Sequence, residues 1–76
     1  MSQGRIPALT PREVLQALHR AGFLIEHQSG SHVTLRNPVT RAKVTIPFHA
    51  RDLNRKTLFR IVRQSGLSQQ EFRKLL

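Results

Sequence analysis

Apolar and polar positions along the chain mark out six elements. Over residues 10–22, Val14, Leu15, Leu18 and Ala21 recur at helical spacing, with Arg12, Gln16, His19 and Arg20 on the polar side. Thr10 is a good N-cap, Pro11 fits the first helical position, Glu13 completes a capping box, and Gly22 is a natural stop. Residues 23–28 read as a short strand of mixed pattern, broken by Ser29 and Gly30. Residues 32–37 alternate cleanly and predict a second strand, residues 38–41 a turn, and residues 42–46 a third strand that Pro47 ends. A loop over 47–52 leads to a second helix over 54–66. Asn54 caps it, Leu58, Ile61 and Val62 form its buried stripe, and Gly66 terminates it. A shorter helix over 68–76 opens on the capping box of Ser68 and Glu71, and Phe72, Leu75 and Leu76 give it an apolar side. Residues 1–9 carry no such pattern. They are expected to be a loose segment at the head of one domain spanning residues 1–76.

The order is α-β-β-β-α plus a short C-terminal helix, an α+β fold. Strands this close in sequence form an antiparallel meander, and a three-stranded sheet needs helices over at least one face. With helices on one face only, alternation assigns the other. Val33, Leu35, Ala42, Val44 and Ile46 point to the core, while His32, Thr34, Arg36, Lys43 and Thr45 point to the open face.

Charge changes the picture. Thirteen Lys and Arg against four Asp and Glu leave a formal net charge of +9 on 76 residues. That excess opposes compaction by self-repulsion and points to a polyanionic partner, nucleic acid ahead of an acidic protein or an anionic membrane. Ten of the thirteen are Arg, which suits bidentate phosphate contacts. No cysteine is present, so disulfides and thiolate zinc sites are excluded. No apolar run approaches the roughly 18 residues of a membrane span, and the first ten residues lack the apolar core of a signal peptide, so a cytoplasmic location is expected.

The candidate chemistry centres on His32. His27 and His32 alone stand at an H-x₃₋₅-H spacing, no pair is i, i+4 and no cysteine joins them, so no metal site and no cofactor are expected. A Ser-His-Asp triad is disfavoured, because Asp52 is the only Asp and no Ser sits on a nucleophile elbow. Phosphodiester chemistry fits better. RNA carries its own nucleophile in the 2′-hydroxyl, histidine is suited to proton transfer near pH 7, and cations stabilise the developing charge on phosphorus. On residues alone His32 has three readings: the proton-transfer group, a solvated strand end, or a base-stacking surface. The candidate RNA-binding cations are Arg36, Arg41, Lys43, Arg51 and Lys56, which strand alternation and the loops are expected to put near His32. Gly30 and Ser31 set the turn that aims His32, and Ser31 is also a candidate donor to phosphate.

The segments Gly22-Phe23, Gly30-Ser31-His32, Pro47-Phe48-His49 and Thr57-Leu58, the last near the start of a helix that ends at Gly66, stand in an order and spacing that resemble the HicA toxins of HicA–HicB toxin–antitoxin systems. The resemblance covers residues 13 to 72. It implies a fold like that of double-stranded-RNA-binding domains, an mRNA-cleaving endoribonuclease, a catalytic histidine at His32 and a HicB-like antitoxin partner. His49 matches the Pro-x-His segment and is a candidate auxiliary group. Many relatives carry Gly where Lys56 stands; a Gly lets a phosphate backbone come close to a helix N-terminus, whereas Lys56 is expected to reach the phosphate with its charge. The rival reading is a module of the same fold that binds RNA and cuts nothing.

Overall fold

The computed structural model describes residues 5–76. Its elements are α1 (Pro11–Arg20), β1 (Leu24–Ser29), β2 (His32–Arg36), β3 (Lys43–Pro47), α2 (Arg55–Ser65) and α3 (Gln69–Arg73). The strands form one antiparallel sheet in the order β1-β2-β3, so the expected α+β arrangement and its meander are present. Among the described residues no helix is long and apolar enough to cross a membrane.

Each helix begins where its capping residues stand. Thr10 and Glu13 cap each other at α1, with Thr10 N donating to Glu13 Oε1 at 2.9 Å and Glu13 N to Thr10 Oγ1 at 3.2 Å. Ser68 and Glu71 repeat the pattern at α3. Asn54 Oδ1 accepts from Thr57 N at 2.8 Å to start α2, and Gly66 ends that helix at a φ of 79°, which L side chains rarely adopt.

The helices pack their apolar sides on one face of the sheet. Val33, Leu35, Val44 and Ile46 are buried against Val14, Ala17, Leu18, Leu58, Ile61, Val62 and Phe72, as alternation requires. Ala17, which the sequence reading left out of the α1 stripe, is fully buried in it, while Leu15 and Ala21 lie at its margin. β1 differs from the other strands in being exposed along all six residues, so it overhangs the helical layer.

Two features depart from the sequence reading. Residues 6–9 are not loose. Ile6 and Leu9 are buried in the core, the Ile6 carbonyl accepts from Arg55 Nη1 at 2.6 Å, and the Leu9 carbonyl accepts from Leu53 N at 2.8 Å. The two apolar residues were too few to show a period, yet they fill space beside the 48–54 loop. Residues 1–4 lie outside the described residues. The second feature is the β2–β3 turn, which is built on the buried Asn37. Its Oδ1 accepts from Val39 N and Thr40 N, and its Nδ2 donates to the Ala21 carbonyl at the end of α1. One side chain thus shapes the turn and ties it to the first helix.

Ile6→Ala tests the docking of the N-terminal segment. Truncating a fully buried isoleucine removes its burial and leaves a cavity, so stability in chemical denaturation should fall by about 2–5 kcal/mol. A change near zero would return residues 6–9 to a loose end.

Candidate functional site

The open face of the sheet has two ends. At one, Ser29, Gly30, Ser31 and His32 form a two-residue hairpin turn, with Ser29 and His32 paired across it. Gly30 has a φ of 56°, and Ser31 is not in the left-handed region, the pattern of a II′ turn. His32 thereby opens β2 with its side chain exposed, flanked by Ser29 on β1 and Pro47 on β3. Phe48 N donates to the Ser31 carbonyl, which fastens the 47–52 loop to the turn and brings His49 to the His32 end of the sheet.

His49 is itself oriented. Its Nδ1 accepts from Arg51 N at 3.2 Å, so the neutral ring carries its proton on Nε2. That leaves an outward N–H donor. A cleft of about 520 Å³ beside it is lined by Thr10, Arg12, Phe48, His49 and Ala50. Arg12 reads in sequence as an ordinary polar-side residue of a helix. Only the packing of α1 beside the loop brings it to His49. Phe48 is half-buried and packs against the core, with its margin in this cleft.

At the other end, Arg36 and Lys43 pair across β2 and β3. They share the face of His32, but Arg36 lies four residue steps along the strand from His32, about 13 Å at ~3.3 Å per residue. The face is therefore one surface with two charged ends. Between them Thr34 Oγ1 and Thr45 Oγ1 lie 3.4 Å apart.

β1 supplies what alternation alone misses. Ile25 pairs with Leu35 and His27 with Thr34, so Glu26 is an extra residue at a bulge. Two consecutive side chains then address the open face: His27 opposite Thr34, and Glu26 toward Arg36 and Lys43. Glu26 Oε2 is 3.2 Å from Arg36 Nη1, and Oε1 is 3.3 Å from Lys43 Nζ. The mixed pattern of residues 23–28 was the trace of this bulge in the sequence. Arg41 stands nearby at the end of the turn, with a φ of 69°, and shares a cleft with Leu24, Ile25, Glu26, Arg36 and Pro38.

The remaining candidates are dispersed. Arg51 is exposed in the loop beside His49, and Lys56 is the second residue of α2, whose first turn carries no acid. Arg55 is engaged structurally, donating to the Ile6 carbonyl and lying 4.8 Å over the Phe59 ring. Among the described residues no three His, Asp or Glu come together in a way that could hold a metal ion.

The Arg36 guanidinium and the Lys43 ammonium, both hydrogen-bonded to Glu26, hold its carboxyl below the ordinary glutamate range. A carboxyl depressed in the folded state adds stability above its unfolded pKa, and that contribution is lost as pH falls through the folded value. A side-chain NMR titration should therefore place the Glu26 midpoint below the ordinary range, and Arg36→Gln should move it up. A midpoint indifferent to Arg36 would mean the ion pair does not persist in solution.

The family model described as HicA toxin of bacterial toxin-antitoxin matches residues 11–67, from the start of α1 to just beyond α2. The matched stretch takes in His32, His49 and every cation named above. A comparison with curated proteins gives no match.

Proposed function

The chain belongs to the HicA toxin family, the toxin half of a toxin–antitoxin pair with a cognate antitoxin, and from that premise we propose that it is an endoribonuclease that cleaves mRNA without a metal, using His32. The observation that carries this reading is the position of His32. It is an imidazole exposed at the start of the central strand, beside the turn and the 47–52 loop that carries His49, on a face that also presents the hydroxyls of Thr34 and Thr45 and the cations Arg36 and Lys43. A surface that only bound RNA would need the cations and hydroxyls alone.

In this reading the His32 imidazole takes the proton of an RNA 2′-hydroxyl as that oxygen attacks the adjacent phosphorus. The imidazolium so formed returns the proton to the departing 5′-oxygen. The P–O5′ bond breaks as the P–O2′ bond forms, and the products are a 2′,3′-cyclic phosphate and a 5′-hydroxyl. Proton transfer of this kind contributes typically 10²–10⁴-fold. The outward Nε2–H of His49 donates to a phosphate oxygen and holds the group in place, with Arg51 and Arg12 adding charge. Ser31 acts through the turn that aims His32. Arg36, Arg41, Lys43 and Lys56 hold the flanking strand of RNA. The partner is a HicB-like antitoxin that covers His32 and extends along the face to set acidic residues opposite Arg36, Lys43 or Lys56, and both proteins work in the cytoplasm.

His32→Ala removes no core packing, so melting should stay within about 0.5 kcal/mol of the parent. RNA affinity should persist because the cations remain, and cleavage should fall by about 10²–10⁴-fold. Normal cutting by the folded variant would reduce His32 to a strand end. A second measurement tests the cationic face. The logarithm of affinity for single-stranded RNA should fall linearly with the logarithm of salt, with a slope of about −3 for four or five phosphate contacts. Binding indifferent to salt would remove the cations from the reading.

A further inference from the structure

Glu26 is the one acid placed on a face that the proposed function needs to be positive. The other two glutamates close capping boxes at helix starts, Glu13 on Thr10 and Glu71 on Ser68. Glu26 caps nothing. The bulge at 25–27 lifts it out of the pairing register and aims its two oxygens at two cations on two different strands, Arg36 on β2 and Lys43 on β3. A carboxylate bridging a guanidinium and an ammonium, one oxygen to each, is the arrangement that two non-bridging oxygens of a phosphodiester would adopt there.

We infer that Arg36 and Lys43 form a phosphate subsite about 13 Å along β2 from His32, occupied in the free protein by the Glu26 carboxylate, which RNA must displace. The inference rests on the ribonuclease reading for its substrate, and it adds a competitor built into the chain. Three observations support it. The cations are paired with each other across the strands, so one phosphate can touch both. All three charged side chains are partly exposed, at 36% to 57% of their free area, so exchange of one anion for another needs no unfolding. Arg41 and the apolar side chains of Leu24, Ile25 and Pro38 line the adjoining cleft, where the nucleoside attached to that phosphate can lie.

The subsite is remote from the reacting phosphate, so its occupancy affects substrate and transition state alike. Opening it should therefore change KM and leave kcat alone. This separates Glu26 from a residue that aligns His32, whose loss would lower kcat.

The test compares the full chain with Glu26→Gln, which keeps the shape and removes the charge, and with Glu26→Gln carrying Arg36→Gln as well. Each binds a single-stranded RNA oligomer and, separately, inorganic polyphosphate, over a range of salt. Freeing the site should tighten RNA binding about tenfold near 0.1 M salt and steepen the salt slope by no more than about 0.7, the worth of one phosphate contact. Polyphosphate should follow the same order. Adding Arg36→Gln should cancel most of the gain, and melting should move little because exposed ion pairs contribute little. Glu26→Gln that binds no tighter overturns the inference. Weaker binding by that variant does so too, by making Glu26 the group that orients the cations. If no variant binds or cuts RNA, the ribonuclease reading fails, and the polyphosphate series still decides whether Glu26 guards a phosphate site. Lower kcat at unchanged KM would make Glu26 part of the His32 machinery and overturn the subsite.

Discussion

The hydrogen bonding of β2 on both sides is the constraint on which the rest depends. A central strand cannot rotate, because its backbone groups are committed to β1 and to β3. Its period of two then becomes a partition. Val33 and Leu35 enter the core under α1 and α2, and the residues between them are carried to the other face. A domain this small has little core to spare, so the same alternation that folds it also decides which side chains remain available for chemistry. His32 is available because Val33 is not.

The distribution of acids shows how a chain with so large a positive excess holds together. Glu13 and Glu71 stand at helix starts, where the backbone N–H groups favour negative charge and where each also accepts a backbone hydrogen bond. Asp52 lies in the loop with His49 and Arg51. No acid stands in the first turn of α2, so that helix start is capped by the neutral Asn54 without a compensating negative charge in its first turn, with Lys56 beside it. The negative charge is thus used locally at helix ends, and the loop and sheet surfaces retain most of the positive field.

Much of this was legible in the sequence, and the pattern of what was not is physical. Capping residues act over three positions, so Thr10 with Glu13, Ser68 with Glu71, and Asn54 announce their helices directly. Alternation in β2 and β3 is equally local, and it placed His32, Thr34, Arg36, Lys43 and Thr45 on one face. What escaped depends on contacts between distant segments. Ile6 and Leu9 gain their burial from the 53–55 region, Asn37 from the end of α1, and Arg12 its place beside His49 from the packing of α1 against a loop. The separation of His32 from Arg36 was implicit in the strand rise, but a shared face says nothing about distance along it. β1 was hardest to read because its exposure leaves no hydrophobic period to detect.

The bulge in β1 has a further meaning for how this surface can change. On either side of Glu26 the pairing is regular: Leu24 and Ile25 face Arg36 and Leu35, and His27, Gln28 and Ser29 face Thr34, Val33 and His32. Removing position 26 would join these two ladders without altering a single pair. The sheet is therefore assembled as though that residue were absent: no residue is paired directly opposite it, and its side chain has no core volume to fill. Such a position is an adjustment point. Its charge and length can vary without disturbing the residues that fold the protein, so the anion affinity of the whole face can be tuned from a place where stability sets almost no terms.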